Sequence, residues 1–163
     1  MKQDDTSYLG GCTRVSNIYP SWWNQTITVF NKYEHPDTRI ITWYKTVLTD
    51  CFWKHTTNKI TMGETTLETS VTLCRVPVNQ FFKERYEWEN LTTNIRGNFF
   101  TFGPGDIIVK GEVADTVNEY EAGKRSSDLM KKYKRLQGCM LIEDCSINTG
   151  VGRGSEHYLV RGN

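Results

Sequence analysis

Residue types that could carry catalytic chemistry are few in this sequence, and they are far apart. The three histidines, His35, His55 and His157, form neither of the spacings that hold zinc on a helix, H-x-x-x-H and H-E-x-x-H. The sequence contains no motif that is typical of an activated nucleophile or of a catalytic pair of carboxylates. The glycine-rich run 150–154 lacks the Gly-Lys-Ser/Thr ending of a phosphate-binding loop, which favours a hairpin connection. We therefore expect no enzymatic activity, no metal and no cofactor.

The cysteines predict buried thiols. They are odd in number and contain no C-x-x-C pair: Cys12, Cys51, Cys74, Cys139 and Cys145. Most lie in apolar, strand-like runs, which favours free thiols in a reducing cell over a disulfide framework. The first residues contain no apolar signal core, and no apolar run approaches the roughly 20 residues that cross a bilayer. We expect a protein made and kept in the cytoplasm, without a membrane partner.

Charge is balanced along the chain as a whole. Twenty Lys and Arg stand against 19 Asp and Glu, a net charge of +1, so any contact with DNA must be local. One basic set surrounds the apolar stripe of a predicted helix: Lys131, Lys132, Lys134 and Arg135. This set fits either a solvated helix face or a surface for nucleic acid or an acidic partner.

Aromatic residues are frequent, but strand alternation separates them. Trp43 and Tyr44 must point to opposite faces of their strand, as must Phe52 and Trp53. These side chains therefore cannot all lie on one flat surface that stacks against a sugar or a base. The pattern favours a hydrophobic core on one face and a protein interface on the other.

Most elements are predicted to be strands. Residues 25–32 alternate with period two, and residues 38–54 form a long β-branched and aromatic run in which we expect a bulge or bend near Thr49 and Asp50. Residues 55–66 read as a polar loop or a hairpin tip that turns at Gly63. Further strands are predicted over residues 67–77, 106–113, 139–148 and 156–162, with a short helix near residues 79–88 and a loop over 94–98.

The strongest helical pattern covers about residues 126–137. Leu129, Tyr133 and Leu136 form its apolar stripe, serine stands at its start, and Gly138 occupies the position of a C′ glycine. The resulting prediction is a mainly β protein, a small antiparallel β-barrel or sandwich with one α-helix before the last strands. An extended N-terminal arm, residues 1–24, precedes the single domain of residues 25–163.

Five segments together resemble a known family. They are TITVFNK, TWYKTVLTDCFW, FGPGDIIVKGE, SSDLMKKYKRLQG and HYLVRGN. Their order over about residues 25–163 is similar to that in head-completion proteins, the head-closure or stopper proteins in the neck of long-tailed bacteriophages. The resemblance implies a β-barrel subunit of a ring, six-fold or twelve-fold, between the portal–adaptor connector and the tail. Double-stranded DNA would pass through the ring, and the virion would be the protein's final location.

Two groups of residues are candidates for contacts in such a ring. Lys54, His55 and Lys59 mark a polar segment that could point at the DNA channel or could belong to an ordinary surface hairpin. Trp22 and Trp23 could dock the arm on a partner. A tail-terminator or other tail-junction ring protein is an alternative in the same particle. A carbohydrate-binding β module and a small nucleic-acid-binding barrel are alternatives from other classes.

Overall fold

The computed structural model describes residues 19–149 and 156–163. Six strands follow the chain: β1 (Gln25–Glu34), β2 (Ile41–Met62), β3 (Thr65–Pro77), β4 (Ile107–Lys110), β5 (Cys139–Asn148) and β6 (His157–Gly162). Three short helices complete the fold: α1 (Arg85–Glu89), α2 (Thr93–Arg96) and α3 (Ser126–Lys134).

The strands form a closed antiparallel barrel in the order β1-β2-β3-β6-β5-β4. Closure gives both edges of every strand a partner within the barrel wall, which hides backbone groups that would otherwise be open to another chain. This architecture confirms the predicted class, a mainly β antiparallel barrel with a helix before the last two strands. The loop expected over 94–98 was wrong in part, because α2 occupies residues 93–96.

A bulge in β2 lies where the sequence predicts one. Asp50 adopts a left-handed φ of 59°, and the register with β1 shifts between the pairs Ile27↔Leu48 and Gln25↔Cys51. The extra residue allows Leu48 and Cys51, three positions apart, both to be buried in the barrel core. Beyond the bulge, Trp53 is also buried in this core.

Two hydrophobic cores lie on opposite sides of the barrel wall. The first fills the barrel and includes Ile27, Val29, Ile108, Met140 and Val160. The second lies outside the wall, where Leu129 of α3 and Val113 of the segment before it cover outer side chains of β1, β4 and β5: Phe30, Ile107, Val109 and Cys139. The β4 run is apolar at successive positions because both of its faces are covered.

Helix α3 ends three residues before the predicted limit. Its apolar stripe keeps Leu129 and Tyr133, but Leu136 is 79% exposed, so its assignment to the stripe was wrong. Gln137, with φ 52°, takes the left-handed position, and the Gly138 N–H donates to the Tyr133 carbonyl. This hydrogen bond is typical of a Schellman motif in which Gln137 occupies the C′ position. The sequence predicts Gly138 at C′, so the C′ position lies one residue earlier than expected. The turn carries Leu136 away from the helix stripe.

Candidate functional site

The most conspicuous surface feature is a hairpin that projects from the barrel. Pairing of β2 with β1 ends at Cys51, and pairing of β3 with β6 ends at Thr72, whereas β2 and β3 continue to pair to Met62 and Thr65. We call residues 56–71 the projecting hairpin; all of them are exposed. At about 3.3 Å per residue, its seven-residue arm in β2 extends roughly 23 Å. The predicted loop or hairpin tip is therefore a β-hairpin.

The turn of this hairpin is only two residues long. Gly63, with φ 63°, and Glu64 connect the strands, and Gly63 supplies the left-handed conformation that such a turn requires. Threonine is frequent on both strands, and its β-branched side chain favours the extended backbone. Local sequence therefore keeps the hairpin regular although no third strand in the described part of the chain pairs with it.

One face of the hairpin is polar and internally bonded. His55 Nδ1 lies 2.8 Å from Thr72 Oγ1, and Lys59 Nζ lies 2.5 Å from a Glu68 carboxylate oxygen. Hydroxyl pairs fill the positions between and beyond them, Thr57 with Ser70 and Thr61 with Thr66. The hydrogen bond that Lys59 donates to the Glu68 carboxylate raises the pKa of Lys59, and the pair makes this face polar but nearly neutral.

The opposite face of the hairpin is partly apolar. Ile60 pairs with Leu67, Thr56 pairs with Val71, and Met62 lies at the tip. The four large apolar side chains on this face are between 45% and 71% exposed. In each strand the apolar residues alternate with polar ones. This alternation could have predicted an apolar face from the sequence, but only if the pairing of Lys59 with Glu68 had been known.

The structure divides the three predicted channel residues between the two faces. His55 and Lys59 both lie on the polar face, four residues apart. Lys54 pairs with Leu73 and points to the other side, at the base of the hairpin. Because strand side chains alternate, Lys54 and Lys59, five residues apart, cannot act together on one surface.

The two predicted docking tryptophans also have different surroundings. Trp23 is 8% exposed: it stacks on Tyr19 at 5.1 Å and meets Phe52 and His157 on the outside of the barrel. Trp22 is 63% exposed. Residues 19–23 of the expected arm thus pack on the domain through Trp23 and leave Trp22 exposed. Residues 1–18 lie outside the described part of the chain.

The thiols and histidines form no reactive cluster in the described ranges. Cys51, Cys74, Cys139 and Cys145 are free thiols, as the sequence predicts, whereas Cys12 lies outside these ranges. Burial raises the pKa of Cys51 and of Cys145 to about 12 and that of Cys139 to about 11. These thiols stay protonated and weakly nucleophilic at neutral pH. Among residues 19–149 and 156–163, no group of three His, Cys, Asp or Glu side chains could hold a metal ion.

A cleft of about 380 Å³ lies beside the start of α3. Asp115, Lys124, Arg125, Asp128 and Lys132 contribute its charged lining. Two of its cations are already paired, Lys132 with Asp115 at 2.7 Å and Lys124 with Glu121 at 2.7 Å. The Asp128 carboxylate accepts a hydrogen bond from the Arg125 backbone N–H at 3.2 Å, so four of the five charged side chains of the lining already have partners within the chain. The described helices are all too short to span a lipid bilayer.

Comparison with known proteins places the chain in a family. Residues 22–163 match the model of DUF6751, a family of unknown function. A search of curated proteins and a search of solved structures each gave no match. Because the family model covers the whole barrel and all three helices, the chain belongs to the DUF6751 family.

Proposed function

We propose that this protein is a structural subunit of the neck of a long-tailed bacteriophage. Copies of it would form a head-closure ring between the portal–adaptor connector and the tail, with DNA passing through the ring. The observation that best supports this proposal is the closed barrel with its long exposed hairpin. Such a shape suits a ring, in which a rigid body contacts neighbours and a projecting element reaches the axis.

The polar face of the projecting hairpin is our candidate for the channel wall. Lys59 and Glu68 neutralise each other there, and the remaining positions carry hydroxyl groups. DNA that must move through a ring is retarded by strong phosphate contacts, because each neutralised phosphate adds to affinity. A polar wall of low net charge would let DNA pass.

Trp22 is our candidate for contact with a neighbouring protein in the neck. Trp23 fixes the adjacent backbone against the barrel, so Trp22 is presented from an anchored position. An exposed tryptophan held in this way suits an interface, where aromatic side chains contribute much of the binding energy. The partner would be another copy, the connector or a tail protein.

The proposal is tested by locating the protein in particles. Phage particles produced by the genome that encodes this chain would be purified and examined by mass spectrometry and by electron microscopy with imposed ring symmetry. We expect the protein at ring stoichiometry at the head–tail junction. Density at the upper end of the tail tube instead would identify a tail terminator. Absence from intact particles would refute both assignments.

Charge reversal in the hairpin tests its place at the channel. Lys59→Glu places two carboxylates opposite each other on the polar face, so we expect particles that package or retain DNA poorly. Lys59→Glu combined with Glu68→Lys restores a neutral pair and should restore DNA retention. All variants should fold with nearly the stability of the wild type, because the side chains are exposed.

Lys54→Glu is the matched control for this experiment. It changes the charge by the same amount on the other side of β2, at the base of the hairpin. DNA retention is measured as nuclease-protected DNA per particle, together with infectivity. Equal defects in Lys54→Glu and Lys59→Glu, or normal retention in Lys59→Glu, would contradict a channel role for the polar face while leaving the ring proposal open to the particle analysis.

A further inference from the structure

Positive charge is concentrated at one helix. Residues 124–135 contain six Lys and Arg and one Asp, a net charge of +5 in a chain whose total is +1. The other 151 residues therefore carry a net charge of −4. A molecule with this distribution is electrically polar although its total charge is small.

Part of this charge has no ion-pair partner in the molecule. Lys124 and Lys132 pair with Glu121 and Asp115. Within the described ranges Lys131, Lys134 and Arg135 take part in no ion pair, and Leu136, 79% exposed, follows them directly. We call these four residues the basic α3 surface. It combines three cations with a large apolar side chain.

An acidic counterpart lies around α1. Glu84 and Glu87 are exposed, and Tyr86 between them is 79% exposed. The segment contains two cations: Arg85 turns inward and binds Asp106 at 2.9 Å, and Lys83 lies over the Phe99 ring at 5.3 Å. Phe82, two residues before Glu84, stacks on Tyr158 of β6 at 4.1 Å, and β6 pairs with β5, the strand of Asp144, so α1 and Asp144 lie on the same side of the molecule. The Glu84 and Asp144 carboxylates both add to the rise in the pKa of the Cys145 thiol that burial causes. We call Glu84, Tyr86, Glu87 and Asp144 the acidic α1 surface.

Strand β4 separates these two surfaces. Asp106, which binds Arg85 of α1, directly precedes β4, and Lys110 at the other end of β4 donates its N–H to Gly138, just after the basic α3 surface. Four strand residues correspond to roughly 13 Å. The opposite charges therefore lie at opposite ends of β4, and one molecule cannot neutralise itself through them.

We propose that the basic α3 surface of one copy binds the acidic α1 surface of a second copy. The charges are complementary, and each surface presents a large exposed apolar side chain, Leu136 on one and Tyr86 on the other. The contact joins two different surfaces, so repeated copies form a head-to-tail series that can close into a ring. This inference rests on the ring of the proposed function and assigns its contact between copies. Leu136 beside the cations favours a protein partner over a phosphate backbone.

Complementary charge reversals test the contact. The α3 variant carries Lys131→Glu, Lys134→Glu and Arg135→Glu, and the α1 variant carries Glu84→Lys and Glu87→Lys. Self-association of the full chain is measured by sedimentation velocity over a wide concentration range at low salt. We expect the wild type to associate and each variant alone to associate at least about tenfold more weakly. An equimolar mixture should recover association, because every contact in a mixed series then joins opposite charges.

A control variant and a salt series make the result specific. Arg39→Glu combined with Lys54→Glu replaces cations by carboxylates away from α3 and from the polar face of the hairpin, and this variant should associate as the wild type does. High salt should weaken wild-type association, because the screening length falls to about 3 Å at 1 M. Circular dichroism of each variant checks that it folds.

Several outcomes would overturn the inference. They are a wild-type chain that remains monomeric at all concentrations, an α3 variant that associates normally, and a mixture that fails to recover. Binding of a duplex DNA fragment that is lost in the α3 variant, without self-association of the wild type, would assign the surface to nucleic acid instead. Recovery in the mixture with no protein in the virion would uphold this contact and refute the phage function. A virion ring in which the copies contact each other through other surfaces would uphold the phage function and refute this contact.

Discussion

Asp106 is a fully buried carboxylate that joins three parts of the fold. It accepts hydrogen bonds from Arg85 Nη1 at 2.9 Å, Asn31 Nδ2 at 2.8 Å, and the backbone N–H groups of Lys32 and Gly103 at 2.8 and 3.1 Å. Burial raises the pKa of Asp106, and Arg85 and the hydrogen bonds oppose this rise. The residue thereby attaches α1 to β1 and to the turn before β4.

Asp106→Asn should destabilise the protein strongly. The amide cannot balance the Arg85 charge, and removing one member of a buried ion pair costs about 3 to 5 kcal/mol. Glu89→Gln removes the exposed partner of the same arginine, at 2.6 Å, and should cost less than about 1 kcal/mol. The free energy of unfolding in urea measures both. Similar losses in the two variants would contradict the role assigned to Asp106.

At the scale of elements, α3 is attached to the preceding segment through Asp115. Its carboxylate accepts hydrogen bonds from Lys132 Nζ at 2.7 Å and from the Tyr133 hydroxyl at 2.5 Å. These hydrogen bonds lower the pKa of Asp115 below its ordinary value of 3.8. A carboxyl group whose pKa is lower in the folded state stabilises the fold above its unfolded pKa, and this contribution disappears as pH falls through the folded value.

Asp115→Asn should therefore have a pH-dependent effect on stability. We expect its melting temperature to be lower than that of the wild type at neutral pH, and the difference to shrink as pH falls below about 3.8. Asp37→Asn, in an exposed turn, is the control and should show a smaller difference at neutral pH. Calorimetry across the acid range gives both curves. A difference between Asp115→Asn and wild type that is constant with pH would mean that the carboxylate charge does not stabilise α3.

At the scale of the whole molecule, closure of the barrel depends on close approach of strands at Gly162. This residue pairs with Thr72 of β3 and with Ile142 of β5. A Cβ atom at this position would overlap the backbone carbonyl of Leu141. Backbone cannot move aside as a flexible side chain can, so the site where β6 joins β5 and β3 requires glycine.

Gly162→Ala should weaken closure. Overpacking of this kind costs about 1 to 3 kcal/mol, and we expect a lower urea midpoint together with faster amide exchange in β5 and β6. Gly97→Ala is the control, because its Cβ would meet the Tyr44 ring at 3.6 Å, an ordinary contact, in a helix-like conformation with φ −66°. If Gly162→Ala is as stable as Gly97→Ala, closure of the barrel does not require glycine at position 162.

The local features of this protein follow from its amino-acid sequence. Alternation predicted the strands, the β-branched run with Asp50 predicted a bulge in β2, and the pairs Trp43–Tyr44 and Phe52–Trp53 predicted opposite faces. A helix near 126–137 and free buried thiols also followed from composition and spacing. These features depend on neighbours within a few residues, and periods of two and of about 3.6 are visible in a single chain.

Contacts between residues far apart in sequence could not be predicted from local patterns. The partnership of Arg85 with Asp106, the closure at Gly162 and the separation of Lys54 from Lys59 in a hairpin all depend on strand register or on pairing across long loops. Leu136 became an exposed residue because α3 ended in a Schellman motif at Gln137. Register and loop closure are set by the packing of the whole barrel, and a one-residue change in register reverses the face of every side chain in a strand.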